Sequence, residues 1–322
     1  MLDRTSRTVR PEDPANRRRT TLEDRMHPHA PPPAVDRTVR SADGTELAVT
    51  ETGTGPALVV VGGAFDHRGT PYLERLVAAL ADRYRVVTYD RRGRGASGDT
   101  EPWAIEREVD DLSAVVESVS GPVAAFGACV GAGVLLHGLA AGVPITRAVL
   151  FEPPFRASIE HHVDDVVFAD LLDEHVAVGR RSQTVRAFLA HVLGVPMGQV
   201  ALLRLRPAVW SALLGDAHVL PRDVRVLNGL VIPERVAAAV GVPVLVASGD
   251  AGPEFMGQAA RALAEAIPGA VHVQLAGQWH RPEPAVVRRT VDRFVGSAQA
   301  AKMDGRPHPV LRGSSTPAKM DG

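Results

Sequence analysis

The sequence predicts an α/β fold in which a mostly parallel, doubly wound sheet carries a helical lid insertion. Strand-length apolar runs alternate with longer segments of helical spacing along most of the chain, a pattern typical of strands joined by right-handed helical crossovers. Several runs are apolar at successive positions, as strands covered on both faces require. Between about residues 153 and 240 the strand signal stops and only helical spacing remains.

The strand signals are short runs rich in β-branched residues. An antiparallel hairpin around Asp43-Gly44 is expected to open the sheet, with Thr38–Val39 and Leu47–Val49 as its two arms. The remaining strands are predicted from the runs that follow along the chain: Ala57–Val61, Arg85–Tyr89, Val123–Gly127, Ala148–Phe151, Pro243–Ser248 and Val271–Leu275.

The helix signals are longer segments with one apolar stripe, as in Leu73, Leu76 and Leu80. Pro284 falls in the first turn of a predicted helix, where its missing N–H group costs nothing. The helices expected beside the sheet are Tyr72–Leu80, Glu106–Val119, Val130–Ala141, Phe255–Ala266 and Pro284–Val295. Those expected in the insertion lie near Val163–Val178, Val185–Leu193, Val200–Leu214 and Pro233–Val240.

Composition along the chain predicts four divisions. The first residues hold Arg17-Arg18-Arg19 and Pro31-Pro32-Pro33 with few apolar side chains, which indicates a disordered leader. The last residues differ in composition from the rest and are interpreted as a disordered tail. The predicted divisions are a leader at 1–34, a sheet domain at 35–152 and 241–297, a helical lid at 153–240, and a tail at 298–322.

The overall composition excludes several classes of protein. Lys and Arg number 36 and Asp and Glu number 37, giving a net charge of -1, so we expect neither a nucleic acid nor a membrane as a partner. Cys129 is the only cysteine, which excludes a disulfide framework and a cysteine-rich zinc site. No apolar run is long enough for a membrane span, and the N-terminal residues lack a signal-peptide core. We therefore expect a cytoplasmic protein without metal or cofactor, and the oligomeric state stays open.

The segment Gly127-Ala128-Cys129-Val130-Gly131 is the most informative motif. A predicted buried strand ends at Gly127 and a predicted helix begins after Cys129. Such a strand-to-helix turn holds a nucleophile above the sheet, and its flanking glycines allow the close approach of the backbone. The positive end of the following helix favours a negatively charged group at Cys129.

With these residues, the chain resembles the α/β-hydrolase fold family. It is similar to a bacterial subfamily with strands ending in DGA or GGA, a YDRRGRGxSGD loop and a GHSSGA elbow, and the resemblance extends from about Thr38 to Val295. Cys129 stands where that family usually has serine, and Ala128 where it commonly has histidine. The matching segments are Val61–Phe65, Tyr89–Asp99, Gly127–Ala132, Phe151–Phe155 and Gly277–His280.

The resemblance implies a catalytic set in which Cys129 is the nucleophile and His280, after the last strand, is the base. Two carboxylates are candidates for the acid: Asp250, two residues before the family's usual position, is preferred, and Glu152 is the alternative. Dienelactone hydrolases, which share this fold, also carry cysteine at the elbow. The competing interpretations are a small buried cysteine in a degenerate elbow and, for Glu152, an ion pair that holds the lid.

The resemblance also implies an oxyanion hole and a substrate pocket. The N–H groups of Ala64 and Val130 are expected to stabilise the oxyanion, with Phe65 as the next candidate after Ala64. Phe65 and Trp210 are expected to contact the substrate, although core packing explains a lid residue such as Trp210 about as well.

Two functions follow from these residues. The first is a hydrolase or acyltransferase, esterase- or thioesterase-like, that acts on a small-molecule ester, thioester or lactone through an acyl group on Cys129. The alternative is a non-covalent small-molecule binding protein, or a cyclase or lyase, that reuses the same pocket, because a fold does not fix the chemistry of its site.

Overall fold

The structure is a computed structural model that describes residues 34–157 and 163–296. The predicted leader and the predicted tail lie outside the described residues, apart from Ala34 at the leader's end. His161 and His162, an adjacent pair with unsuitable spacing for a metal site on a helix, also lie outside them. Within the described residues, no helix combines the length and apolar character needed to cross a membrane.

The described residues form an eight-stranded sheet with the strand order β1-β2-β4-β3-β5-β6-β7-β8. The first hairpin pairs antiparallel, and β2 is also antiparallel to β4, whereas all pairs from β4 to β8 are parallel. The predicted mostly parallel α/β sheet is therefore confirmed. Its strands are β1 (Ala34–Arg40), β2 (Glu46–Thr52), β3 (Ala57–Val61), β4 (Arg85–Tyr89), β5 (Val123–Ala128), β6 (Ile145–Phe151), β7 (Val244–Gly249) and β8 (Val271–Leu275).

Helices cover both faces of this sheet. Leu73 and Leu76 of one helix share a buried cluster with Val287 of another on the first face. On the second face, the opposite cluster contains Leu112 and Leu263. The helices of the first face are α1 (Pro71–Ala81) and α11 (Pro284–Val291), and those of the second are α2 (Ile105–Glu117), α3 (Val130–Ala140) and α10 (Glu254–Ala266).

The segment between β6 and β7 is a helical insertion, as the loss of strand signals predicts. The single helix expected over Val200–Leu214 is two helices, because Pro207 begins the second and its ring cannot continue the first. The short helix at Leu220–Val226 is not among the predicted helices. The insertion comprises α4 (Val163–Ala177), α5 (Arg181–His191), α6 (Met197–Leu203), α7 (Pro207–Gly215), α8 (Leu220–Val226) and α9 (Glu234–Ala238).

The insertion is anchored to the sheet domain through Asp223 of α8. This carboxylate accepts a hydrogen bond from Arg91 at 3.0 Å and another from Arg94 at 2.6 Å. Arg91 also forms a two-bond pair with Glu108 of α2. All four side chains are buried, and removing one partner of such a pair typically costs about 3–5 kcal/mol. The arginines of the Tyr89–Asp99 loop thus bind carboxylates within the protein.

Candidate active site

The candidate catalytic residues meet at the carboxyl edge of the parallel strands. Cys129 follows β5, Ala64 lies three residues after β3, Glu152 follows β6 and His280 lies in the loop after β8. Because β3, β5, β6, β7 and β8 run parallel as neighbours, their carboxyl ends lie at one edge, which is where ligands bind in open α/β sheets.

Cys129 occupies a strained turn between β5 and α3. Its φ of 54° lies in the left-handed region, which non-glycine residues rarely adopt and which recurs at functional sites. The turn is held by a hydrogen bond of 2.9 Å from the Cys129 N–H to the Phe151 carbonyl. A Cβ on Gly131 would lie 2.2 Å from the Val61 carbonyl oxygen, so only glycine lets α3 begin this close to β3.

His280 is held by Glu152. The imidazole Nδ1 lies 2.8 Å from Glu152 Oε2, and the other carboxylate oxygen accepts the Gly249 N–H at 2.7 Å. Glu152 is fully buried and has a positive φ of 43°. A Cβ on Gly249 would lie 2.1 Å from the Gln278 carbonyl oxygen, so glycine here brings the His280 loop against β7. Both oxygens of the carboxylate are therefore used to fix the ring.

The preference for Asp250 as the acid beside His280 is reversed by this geometry. Asp250 Oδ1 accepts the Gly277 N–H at 2.6 Å, so it supports the loop three residues before the histidine. Both residues directly follow the last residue of their strand, so the backbone turn decides between them: Glu152, with its φ of 43°, directs its carboxylate to His280, whereas Asp250 faces the turn at Gly277.

The charge on His280 depends on Cys129 and Glu152. Burial disfavours the imidazolium, but the negative charge and hydrogen bond of Cys129, followed by those of Glu152, outweigh it and raise the pKa of His280 to about 10. With Nδ1 occupied by Glu152, Nε2 is the ring nitrogen available to Cys129. The arrangement therefore favours a protonated imidazole beside Cys129.

The backbone groups expected at the oxyanion hole lie beside Cys129. A Cβ placed on Gly63 would lie 3.1 Å from the Cys129 Cβ, so the chain leading to Ala64 passes close beside Cys129. Val130 is the first residue of α3, where N–H groups have no partner within the helix. The Ala64 carbonyl accepts a hydrogen bond of 3.1 Å from Arg94 Nε, which ties this loop to the buried arginine cluster.

A narrow cleft of about 40 Å³ opens over Cys129 and His280. Phe65, predicted to contact substrate, lines this cleft and also a neighbouring cleft of about 770 Å³. Trp210 lines neither: it is half-buried and packs against the hydrophobic core, so the structure does not place it at the site. Helical spacing marked Trp210 as part of a buried face without indicating which partner covers that face.

Four further residues of the cleft escaped the sequence analysis. Asp66 forms an ion pair with Arg281 at 3.0 Å and accepts the Gly63 N–H at 3.2 Å. Asp66 lies close in sequence to Ala64, and Arg281 lies next to His280, so their positions could have indicated that they belong to the site. Tyr72 of α1 and Leu193 of the insertion complete the walls, and neither carries a sequence signal that separates it from a core residue. Among the described residues, no cluster of three or more His, Cys, Asp or Glu side chains is arranged to hold a metal ion.

Comparisons with known proteins identify the fold family. A sequence profile described as "Alpha/beta hydrolase family" matches residues 57–311. A solved alpha/beta hydrolase from Sphaerobacter thermophilus is 38% identical, with a TM-score of 0.73, and the alignment covers 80% of this chain and 100% of that chain. The esterase RhEst1 from Rhodococcus sp. ECU1013 is 24% identical, with a TM-score of 0.58 over 81% of this chain and 98% of that chain, a likeness that shows the fold.

A curated relative matches over a shorter stretch. The Mycobacterium tuberculosis protein named "Probable oxidoreductase EphD" is 35% identical over 91 residues, which is 27% of this chain and 15% of that protein. The match therefore spans less than a fifth of that relative's length.

Proposed function

Because the chain belongs to the alpha/beta hydrolase family, we propose that it is a cysteine-dependent hydrolase or acyltransferase that acts on a small-molecule ester, thioester or lactone. Cys129 is the nucleophile, His280 transfers protons and Glu152 orients His280. The observation that carries this proposal is the contact between Glu152 and His280 at 2.8 Å, next to a cysteine on a strained turn. The esterase among the structural neighbours agrees with a hydrolase.

In the first half-reaction, the Cys129 thiolate attacks the acyl carbonyl carbon. A C–S bond forms and the carbonyl π electrons move to oxygen, where the Ala64 and Val130 N–H groups stabilise the negative charge. When the tetrahedral intermediate collapses, the bond to the leaving oxygen or sulfur breaks. That atom takes the proton from His280 Nε2, which leaves an acyl group on Cys129 and a neutral imidazole.

In the second half-reaction, His280 Nε2 removes a proton from water as the water oxygen attacks the acyl-enzyme. The C–S bond then breaks and the electron pair returns to sulfur, which restores the thiolate beside the imidazolium. An alcohol, amine or thiol in place of water gives acyl transfer with the same proton balance. Throughout both steps the buried Glu152 carboxylate holds Nδ1–H, so Nε2 stays directed to the reacting atoms.

Turnover of a panel of chromogenic esters and thioesters, combined with intact-protein mass, tests this function. The expected result is turnover of at least one ester or thioester, with a transient mass increase equal to the acyl group. Cys129→Ala should lose both signals, and no second cysteine exists to substitute for it. Unchanged turnover in Cys129→Ala contradicts the proposal, and ligand binding without an acyl adduct favours the binding protein, cyclase or lyase instead.

A further inference from the structure

Two clefts of very different size meet beside the nucleophile. The smaller, of about 40 Å³, contains Cys129 and His280, and the larger, of about 770 Å³, lies between α7 and the loop after β3. Phe65, Tyr72 and Arg281 line both clefts, so the two are adjacent. A water molecule's share of liquid volume is about 30 Å³, whereas pockets for whole ligands hold roughly 300–1,000 Å³. The small cleft has room for only a small fragment of a substrate.

The walls of the small cleft are held in place. The ring of Phe65 meets the ring of the fully buried Phe188 edge-on at 5.6 Å, which fixes Phe65 against α5. Leu193 is followed by Gly194, whose backbone packs closely against Phe255: a Cβ added to Gly194 would lie 2.9 Å from the Phe255 ring. Phe65 and the backbone next to Leu193 are each backed by an aromatic side chain, so moving either wall outward would displace packed side chains.

The position of His280 determines which part of the substrate occupies each cleft. His280 must give its proton to the leaving atom, so the leaving group has to lie on the imidazole side of the carbonyl carbon. The residues directly after His280, from Arg281 to Pro284, line the large cleft. His280 itself lines only the small cleft, and Arg281 next to it lines both, so the leaving group is assigned to the large cleft and the acyl group to the small one.

The lining of the large cleft indicates what kind of leaving group it accepts. Tyr72, Val209 and Leu213 offer apolar surface. Arg75 and Glu283 add charges of opposite sign at the same cleft, so the lining has no single dominant charge. An amphipathic group fits this mixture better than a highly charged one.

From these observations we infer that the substrate carries a short acyl group, of acetyl or propionyl size, on a larger amphipathic alcohol or thiol that occupies the cleft beneath α7. This inference rests on the Cys129 acyl-enzyme proposed above. The small cleft selects the acyl group by excluding longer chains, and the large cleft contributes binding energy through the leaving group.

The acyl side is tested with p-nitrophenyl acetate, butyrate and octanoate, which share one leaving group. The expected kcat/KM falls at least tenfold from acetate to butyrate, since one misplaced methylene is worth roughly 10-fold or more, and falls further for octanoate. Leu193→Ala should raise the octanoate-to-acetate ratio about tenfold. Leu202→Ala is the matched control, because Leu202 is a leucine of the insertion that is 62% exposed and lines neither cleft.

The leaving-group side is tested with Ala212→Trp, which places an indole in the large cleft. 4-Methylumbelliferyl acetate and vinyl acetate share the acetyl group and differ in the size of the leaving group. Ala212→Trp should lower kcat/KM for 4-methylumbelliferyl acetate about tenfold relative to vinyl acetate, because the larger leaving group no longer fits. Three outcomes would overturn the inference while leaving the acyl-enzyme intact. They are an unchanged ratio in Ala212→Trp, equal turnover of octanoate and acetate by the wild type, and equal effects of Leu193→Ala on octanoate and acetate. Absence of any turnover and of any acyl adduct contradicts the proposed function itself.

Discussion

The imidazole of His280 and the buried carboxylate of Glu152 meet at 2.8 Å, between Nδ1 and Oε2. Glu152 Oε1 is occupied by the Gly249 N–H at 2.7 Å, so the carboxylate cannot rotate away from the ring without losing a backbone hydrogen bond. This pair connects the ends of β6, β7 and β8, and it leaves Nε2 of His280 as the nitrogen that acts on Cys129.

Glu152→Gln is expected to lower kcat/KM for a turned-over ester roughly 10²-fold or more, because a neutral amide neither holds the required tautomer nor stabilises the imidazolium. The fold should survive, since glutamine has the same length and retains an acceptor for Gly249. Asp250→Asn is the control: its amide oxygen can still accept the Gly277 N–H, so activity should stay near the wild-type value. If Asp250→Asn is the more damaging change, the assignment of the acid is wrong.

Cys129→Ala is expected to abolish alkylation by iodoacetamide and acyl transfer while leaving the thermal melt near that of the wild type. As the chain has no other cysteine, the alkylated mass reports on this side chain alone. Cys129→Ser should also lose most activity, because a hydroxyl keeps its proton until a base removes it, whereas a thiol can ionise beside an imidazolium. A serine variant as active as the wild type contradicts a mechanism that starts from a thiolate.

The pKa of His280 offers a test that does not depend on a substrate. Burial opposes the imidazolium, yet Cys129 and then Glu152 raise the pKa of His280 to about 10. In NMR titrations, the ring should therefore remain protonated through neutral pH and lose its proton near pH 10. Cys129→Ala should lower this pKa, and by more than Glu152→Gln does, because Cys129 contributes more to the shift. A wild-type ring that titrates below pH 7 contradicts the ion pair.

The buried pair of Arg91 and Glu108 should contribute far more to stability than an exposed ion pair does. Both side chains are 1% exposed, so Glu108→Gln leaves a buried guanidinium with only Asp223 as its charged partner and should cost about 3 kcal/mol in the free energy of unfolding. Glu46→Gln breaks the Arg40 pair, whose side chains are 69% and 61% exposed, and should cost less than about 1 kcal/mol. Chemical denaturation measures both, and equal costs contradict the prediction.

The same pair has a definite dependence on pH. Burial raises the pKa of Glu108, but Arg91 outweighs it and holds the pKa below the ordinary value of 4.5. A carboxyl with a lowered folded-state pKa contributes stability above its unfolded pKa and loses it as the pH falls through the folded value. The stability difference between wild type and Glu108→Gln should therefore be full above pH 4.5 and shrink below it. A difference that grows in acid contradicts this account.

Much of the fold could be predicted because its signals are local. The run Val123–Gly127 is apolar throughout and is a buried strand, and the stripe of Leu73, Leu76 and Leu80 is the buried face of α1. The break between α6 and α7 was missed although Pro207 marks it, since the apolar spacing on both sides suggested one continuous helix.

The site was predictable only in part, because it depends on turns. Cys129 directly follows β5 and His280 lies in the loop after β8, and the two side chains line one cleft. The choice between Glu152 and Asp250 could not be made from spacing, since both follow neighbouring parallel strands and the backbone turn decides which carboxylate faces the histidine. The φ of 43° at Glu152 and the close packing of Gly249 on Gln278 have no counterpart in the one-dimensional pattern.

Arg94 connects the loop above the nucleophile to the insertion. Its Nε donates to the Ala64 carbonyl at 3.1 Å and its Nη2 donates to Asp223 at 2.6 Å. The side chain is 1% exposed, so both hydrogen bonds form away from water and hold the backbone that carries one expected oxyanion donor. Arg91 also donates to Asp223, but its other partner is Glu108 and not the Ala64 carbonyl. Arg91 is therefore a matched control for Arg94.

Arg94→Lys should therefore reduce kcat roughly tenfold or more, because a misplaced oxyanion donor weakens stabilisation of the transition state, while KM changes little. Lysine keeps the positive charge but lacks the planar fork needed to donate to Ala64 and Asp223 together. Arg91→Lys should cost comparable stability and leave kcat much closer to the wild-type value. Steady-state kinetics and thermal melts on both variants separate the two effects. If the two substitutions lower kcat equally and in proportion to stability, Arg94 supports the fold alone and does not position Ala64.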